Sequence, residues 1–191
     1  MVLKERVQMG SRVDIPGILS ADELALVTDA WAKIRFVDGK ATAGRKAAQV
    51  KSNEQAERDD PVARALKGML TDALIRNPAF QEVASPDQVS PLLLSRYTTG
   101  MAYGRHVDDT VMYPNGKPFR IDFSFTLFLS EPDQYEGGAL ILDDAEGEVA
   151  IKLPAGHAFV YASGIPHRVE RVSAGERRAA VGWVQTKKVA G

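Results

Sequence analysis

Two histidines and one aspartate are the residues of this sequence best suited to bind a metal ion. His106 and Asp108 are two positions apart, and His167 follows 61 residues after His106. Residues two apart on an extended strand point to the same face of the sheet, so the imidazole and the carboxylate can converge on one ion. His167 lies several strands later, and a rolled barrel can bring such distant strands back together. The pattern therefore predicts one three-ligand metal site.

The types of these ligands indicate which metal chemistry to expect. Two histidines and one carboxylate form the facial triad of non-haem iron(II) oxygenases, whereas an all-oxygen site suits magnesium or calcium. Three protein ligands leave room for a bidentate 2-oxo acid and for O2. A 2-oxo acid with a distal carboxylate also needs a cation, and Arg177 lies ten residues after His167. Because a guanidinium pairs with a carboxylate through two hydrogen bonds, Arg177 is the predicted partner.

Other polar and aromatic residues near this pattern have more than one interpretation. Tyr97 and Tyr103 precede the first metal ligand, and each is equally well a core tyrosine or a contact to the oxo acid or the substrate. Residues 110–118 carry two prolines and a glycine, which is typical of a mobile flap over the site or of a plain hairpin. Met112 and Tyr113 in this segment are candidate substrate contacts. The third histidine, His157, is expected to be a solvated turn residue.

The elements that must position these residues form a mainly β structure with helices at its N-terminal side. A capping-box pattern at Ser20 and Glu23 predicts a helix over residues 21–33, and Asp60-Pro61 begins a second helix that ends at Asn77-Pro78. Residues 38–59 are polar and suggest an exposed connection, with a possible strand near 49–51. Short segments rich in β-branched and aromatic residues then alternate with turn signals, which predicts a jelly roll. They cover residues 92–97, 120–129, 139–142, 149–153, 158–161, 168–172 and 179–186.

Composition limits the classes of protein to consider. The 191 residues fit one domain, residues 1–191, with 1–85 as mainly helical support and 86–191 as a catalytic core. The net charge of -1 gives no reason to expect nucleic acid or membrane partners. The absence of cysteine excludes disulfides and thiolate chemistry. Residues 1–18 carry several charges and no continuous apolar run, so we expect neither a signal peptide nor a membrane span, and a cytoplasmic location.

Many ordered positions of this sequence are shared with one bacterial family. They are Arg96-Tyr97, Gly100, Tyr103, His106-Val107-Asp108, residues 120–130, Gly137-Gly138, residues 153–156, His167-Arg168-Val169, Gly175-Glu176-Arg177 and Trp183-Val184-Gln185, preceded by residues 31–39, 46–52 and 59–63. In these positions the sequence resembles the PKHD-type hydroxylases, a prolyl-4-hydroxylase-like branch of the Fe(II)/2-oxoglutarate dioxygenases. The resemblance covers nearly the whole chain.

This resemblance implies a double-stranded β-helix, a cupin-like jelly roll in the α+β class. It implies iron(II) at His106, Asp108 and His167, 2-oxoglutarate at Arg177, and ascorbate as a reductant. The implied reaction is hydroxylation of an unactivated carbon, in the first instance on a peptidyl proline. A free amino acid or another small molecule is the alternative substrate.

The sequence also departs from relatives of this kind. Some animal prolyl hydroxylases have a tyrosine for the distal carboxylate where this sequence has Phe128, so the assisting hydroxyl would come from Tyr97, Ser124 or Thr126. Many PKHD-type proteins continue beyond the segment equivalent to Trp183-Val184-Gln185, and we do not expect the dimer or substrate contacts of such an extension here.

Two rival functions come from other classes. A non-catalytic jelly-roll binding or sensor module would not need an intact triad and a cosubstrate arginine. A zinc hydrolase would use the same three ligands, but it would leave Arg177 without a role and would need a general base that the sequence does not offer.

Overall fold

The computed structural model describes residues 12–42, 48–144 and 147–187. Its helices are α1 (Ala21–Trp31), α2 (Pro61–Arg76) and α3 (Pro78–Ala84), with short 3-10 turns at Gly39–Thr42, Pro114–Gly116 and Pro132–Gln134. None of the helices in these described ranges is long and apolar enough to cross a membrane.

The helix ends confirm the capping signals of the sequence. Ser20 and Glu23 bond reciprocally to each other's backbone N–H groups at the start of α1. Asp60 accepts a hydrogen bond of 2.8 Å from the Ala63 N–H, with a proline at the first helical position of α2. Asn77 ends α2 as predicted, but its side chain also caps a further helix, α3, which the sequence analysis did not anticipate.

Seventeen strands make up the described β structure. They are β1 (Arg12–Ile15), β2 (Phe36–Asp38), β3 (Lys51–Ser52), β4 (Glu54–Ala56), β5 (Pro86–Val89), β6 (Leu93–Tyr97), β7 (Ala102–His106), β8 (Val111–Met112), β9 (Phe119–Arg120), β10 (Phe123–Phe128), β11 (Tyr135–Gly137), β12 (Leu140–Asp144), β13 (Gly147–Ile151), β14 (Ala158–Ala162), β15 (His167–Val169), β16 (Val172–Gly175) and β17 (Arg177–Thr186). This abundance of short strands confirms the mainly β prediction.

The strands form two main sheets and two small ones. The larger sheet has the order β1-β14-β10-β17-β6-β4-β2, with β5 also paired to β17. The second sheet has the order β13-β12-β15-β7-β3, and β11-β16 and β8-β9 are two-stranded. All these neighbours are antiparallel, and the strand order skips along the chain as expected for the predicted double-stranded β-helix.

Alternation along β10 separates the helical side of the large sheet from its inner side. Phe125 and Leu127 are buried in the apolar core that also contains the inward faces of the three helices. Ser124 and Thr126 point to the opposite face, as the two-residue period of a strand requires. The helices therefore cover one face of the large sheet and leave its other face to the interior between the sheets.

The prediction of an exposed connection at residues 38–59 was wrong. This segment contains β3 and β4, and Lys51, Asn53 and Gln55 are each only 4% exposed. The N-terminal part thus contributes strands to both main sheets in addition to its helices. The polar pattern did not reveal this burial, because the buried face of the segment is itself polar.

Candidate functional site

Strand pairing brings the three predicted metal ligands together. His106 ends β7, His167 begins β15, and these two residues are direct cross-strand partners. Asp108 lies two residues beyond β7, and its Oδ1 and Oδ2 are each 3.9 Å from one histidine Nε2. One ligand atom from each of the three residues lies within 4.8 Å of the others. The antiparallel pair β7-β15 therefore explains how residues 61 positions apart can form one site.

Backbone carbonyls orient both imidazole rings. The Nδ1 of His106 is 2.9 Å from the Gly104 carbonyl oxygen, and the Nδ1 of His167 is 2.9 Å from that of Ile165. Because a carbonyl oxygen can only accept, each Nδ1 carries the proton and donates it. Each Nε2 then presents its lone pair to the site, which is the orientation of a metal-ligating histidine.

Two side chains of the large sheet hold the Asp108 carboxylate. Its Oδ2 accepts hydrogen bonds from the Ser124 hydroxyl at 2.5 Å and from the Trp183 indole Nε1 at 2.9 Å. Ser124 and Trp183 are direct partners across β10 and β17. Ser124 was a candidate for the missing hydroxyl near Phe128, and its hydroxyl is bonded to Asp108 instead. No feature of the sequence signalled this role of Trp183.

Burial keeps the candidate ligand His106 and its neighbour Tyr103 uncharged. Desolvation, and then the proximity of His167, lowers the pKa of His106 to about 4, so that the ring is neutral at neutral pH and free to ligate. The Tyr103 ring stacks on the His106 ring with centroids 3.8 Å apart. Burial also raises the pKa of Tyr103, which keeps this phenol protonated.

The three residues open into a cavity of about 650 Å³ between the two sheets. Five other predicted site residues line it: Tyr97, Tyr103, Met112, Thr126 and Arg177. The structure does not bring Tyr113 into this lining, because its side chain is 68% exposed. The sequence patterns thus identified eight of the residues that line the cavity.

Arg177 is a buried cation with no carboxylate partner in the described part of the chain. It is 1% exposed at the start of β17, directly opposite Tyr97 of β6. The guanidinium carbon lies 5.3 Å from the Tyr97 ring centroid and 5.4 Å from that of Phe128. No ion pair among the described residues involves it, and its Nε has no hydrogen-bond partner. An unpaired buried cation on a cavity wall is suited to bind an anion.

Residues 110–118 form a hairpin at the edge of this cavity. Strands β8 and β9 pair antiparallel, and the 3-10 turn Pro114–Gly116 connects them. Met112 lines the cavity from β8. The segment is thus a hairpin, one of the two interpretations that the sequence allowed. Its closure over the site as a flap stays a prediction.

The third histidine lies outside the metal group. The Nδ1 of His157 is 3.1 Å from an Asp14 carboxylate oxygen, in the turn before β14. This contact ties the turn to β1. Within the described residues, His157 does not contribute to the ligand cluster.

A row of cavity residues on β3 and β4 was not predicted from the sequence. Lys51, Asn53 and Gln55 line the cavity beside the predicted residues. The available signal was the spacing, because three polar residues two apart lie on one face of an extended segment.

Comparison with known proteins gives a consistent result. The sequence pattern of the 2OG-Fe(II) oxygenase superfamily matches residues 92–185. A PKHD-type hydroxylase of Picosynechococcus sp. is 48% identical over 172 residues, which cover 90% of this chain and 77% of the relative. A prolyl-4-hydroxylase structure from Pseudomonas putida has a TM-score of 0.64 at 19% identity and covers 98% of each chain. A Trichoplax adhaerens prolyl hydroxylase in complex with a hypoxia inducible factor peptide fragment has a TM-score of 0.67 at 16% identity, covering 95% of this chain and 86% of that one.

The sequence relative shows the family, and the solved structures show the fold. The matched segment 92–185 contains His106, Asp108, His167 and Arg177. The rival classes, a binding module and a zinc hydrolase, are thereby set aside. The chain belongs to the PKHD-type hydroxylases of the 2OG-Fe(II) oxygenase superfamily, and it is a dioxygenase that uses iron(II) and 2-oxoglutarate.

Proposed function

We propose that this dioxygenase hydroxylates a prolyl residue of a peptide or protein, with His106, Asp108 and His167 as the iron ligands and Arg177 as the cosubstrate anchor. The observation that carries this proposal is the unpaired, buried Arg177 on the wall of the cavity that contains the triad. A cosubstrate that ligates the metal at one end and carries a carboxylate at the other matches this arrangement of charges.

The donor set fits iron(II). Two neutral imidazole nitrogens and one carboxylate are the facial triad of this metal, and three protein ligands leave the other positions open. When bound there, iron(II) supplies the redox chemistry that couples oxidative decarboxylation of 2-oxoglutarate to insertion of one O2-derived oxygen atom into a C–H bond. Ser124 and Trp183 keep the carboxylate in place while this occurs.

The residues around Arg177 hold the cosubstrate end of the cavity. Its guanidinium donates two hydrogen bonds to the distal carboxylate of 2-oxoglutarate. The flanking rings of Tyr97 and Phe128 restrict its plane and exclude water. Thr126, 3% exposed on the cavity wall, supplies a hydroxyl donor on the same side.

The cavity mouth supports a polypeptide substrate. Val50 and Val107 line the cavity and are about half exposed, and Val111 and Tyr113 of the neighbouring hairpin are also exposed. Exposed apolar side chains around a cavity are typical of a surface that binds another chain. Tyr103, Met112 and Tyr113 are the proposed substrate contacts.

Spectroscopy tests the metal and cosubstrate assignments without a known substrate. Fe(II) and 2-oxoglutarate are added to the protein without oxygen, and we expect a weak visible charge-transfer band. The band should be lost in His106→Ala and, at modest 2-oxoglutarate concentration, in Arg177→Ala, whereas His157→Ala should retain it. If iron binds but no band forms in the wild type, the cosubstrate assignment fails.

A screen for succinate release then tests the substrate class. Proline-containing peptides should stimulate 2-oxoglutarate turnover above the level seen without substrate, and free proline should not. Stimulation by free amino acids or other small molecules alone would overturn the peptidyl assignment.

The remaining expectations complete this proposal. We propose that residues 1–191 act as one domain in the cytoplasm, with ascorbate as a reductant. Nucleic acid and membrane are not among the proposed partners, since the net charge of -1 gives no global attraction to either.

A further inference from the structure

A row of buried polar side chains crosses from one main sheet to the other along the cavity. Lys51 on β3 is the cross-strand partner of Tyr103 on β7, the strand that ends at a metal ligand. Gln55 on β4 is the partner of Ser95 on β6, the strand that also carries Tyr97. Asn53 lies between them. The row therefore runs from the metal side of the cavity towards the Arg177 side.

Asn53, the central residue of the row, has unused hydrogen-bonding capacity. It is 4% exposed and lines the cavity, yet neither its Oδ1 nor its Nδ2 has a hydrogen-bond partner among the residues that the structure describes. Gln55, by contrast, donates to the Ser95 hydroxyl at 3.3 Å. Buried amides are nearly always paired, so an unpaired one on a cavity wall points to a bound ligand.

The packing of this amide distinguishes its two ends. A Cβ placed on Gly39 would lie only 2.0 Å from the Asn53 Oδ1, so the oxygen is directed at the backbone of Gly39. The nitrogen lies on the opposite side of the amide, away from Gly39. A primary amide nitrogen has two N–H donors and no acceptor, which suits an anionic ligand.

The neighbours of Asn53 belong to the proposed cosubstrate end of the cavity. Its amide lies close to the side chain of Tyr97, which is directly opposite Arg177 across β6 and β17. Burial raises the pKa of Tyr97, and the charge of Arg177 and the Asn53 amide oppose that rise. Within the described residues, the Nε of Arg177 is also buried without a hydrogen-bond partner. The Asn53 amide and the Arg177 guanidinium therefore both lie next to Tyr97.

We propose that Asn53 is a further cosubstrate-binding residue, whose Nδ2 donates to the distal carboxylate of 2-oxoglutarate beside Arg177. This inference rests on the proposed role of Arg177. It gives the N-terminal segment a part in cosubstrate binding, and it supplies the polar contact that Phe128 lacks.

Calorimetry with a matched pair of ligands tests this assignment. The full chain loaded with Mn(II) is titrated with 2-oxoglutarate and with 2-oxovalerate, which lacks the distal carboxylate. We expect Asn53→Ala to weaken 2-oxoglutarate binding about tenfold, because one hydrogen bond to a charged group is lost. Binding of 2-oxovalerate should not change. Asn53→Asp, which keeps the shape but adds a negative charge, should weaken 2-oxoglutarate binding further.

The other outcomes are equally informative. Ser52→Ala, an exposed neighbour on the opposite face, serves as the control and should bind both ligands normally. The assignment would be overturned if the Asn53 variants bound 2-oxoglutarate and 2-oxovalerate more weakly to the same extent. It would also be overturned if neither variant changed the affinity for either ligand. The same titrations test the proposed function separately. That function fails if the wild type does not bind 2-oxoglutarate more tightly than 2-oxovalerate, or if Arg177→Gln keeps this preference.

Discussion

Trp183 and Asp108 are joined by a hydrogen bond of 2.9 Å from the indole Nε1 to the carboxylate Oδ2. Trp183 belongs to β17 of the large sheet, whereas Asp108 follows β7 of the second sheet. The bond therefore links the two sheets at the metal site. It also fixes which carboxylate oxygen is occupied by protein donors, because the Ser124 hydroxyl donates to the same Oδ2.

Loss of this indole donor should weaken metal binding. Trp183→Phe keeps an aromatic ring in place but leaves Asp108 with one donor fewer. Groups that orient metal ligands in this way contribute about 10–100-fold in affinity. We expect a loss of about tenfold in Mn(II) affinity, measured by calorimetry.

Trp31→Phe is the matched control for this measurement, because Trp31 lies in the helical core and does not line the cavity. It should leave the Mn(II) affinity unchanged. Normal metal affinity in Trp183→Phe would mean that Ser124 alone orients the carboxylate.

Metal binding should raise the thermal stability of the protein, and this increase should depend on His106 and His167 but not on His157. Mn(II) at a hundred times its dissociation constant adds about 2.7 kcal/mol to folding stability. For a chain of this size, that corresponds to an increase of roughly 5–10 °C in Tm. Scanning calorimetry with and without Mn(II) should show this increase in the wild type and in His157→Ala. His167→Ala should show none, and a retained increase would place the ion elsewhere.

Lys51 should make folding stability depend on pH in the alkaline range. Burial lowers the pKa of its ammonium to about 8, and the nearby Asp108 and Asp38 only partly oppose this. Between this value and the unfolded value of 10.5, the unfolded chain binds more protons, so the contribution of Lys51 to stability rises with pH. Below pH 8 the ammonium is charged in the folded protein as well, so its burial lowers folding stability by the full amount.

Replacement of Lys51 tests the sign of this dependence. Lys51→Met should stabilise the protein at pH 7, by up to about 3 kcal/mol. In urea unfolding at pH 9.5, the free energy of unfolding of Lys51→Met should differ less from that of the wild type than it does at pH 7. Lys33→Met, at an exposed position, is the matched control variant. A difference that is the same at both pH values would rule out the titration of Lys51 as its source.

Two glycine-to-alanine substitutions should act in opposite directions. In β17, a Cβ on Gly182 would lie 2.6 Å from the Phe125 Cζ and 2.9 Å from the Leu92 Cδ2. Overpacking of this kind costs about 1–3 kcal/mol.

A Cβ on Gly68, in the exposed part of α2, meets nothing within 4 Å. Gly68→Ala should stabilise by about 1 kcal/mol, since alanine is the better helix former. Urea unfolding of both variants checks the two signs, and a stabilised Gly182→Ala would show that the sheet adjusts without cost.

The sequence by itself determined the ligand types, the class of fold and the arginine expected to bind the cosubstrate. These inferences depend on local rules, because a two-residue spacing sets a shared strand face and a capping residue sets a helix start. The converging positions of His106, Asp108 and His167 follow from such a rule together with a rolled sheet. The resemblance to one family supported the same residues.

Only the tertiary structure decided which polar groups satisfy one another inside the cavity. It assigned the Ser124 hydroxyl and the Trp183 indole to Asp108, and it left the amide of Asn53 unpaired. The polar row at Lys51, Asn53 and Gln55 looked like an exposed connection because its inward face is as polar as a surface. Burial and hydrogen-bond pairing arise between residues far apart in the chain, so residue type and spacing alone do not determine them.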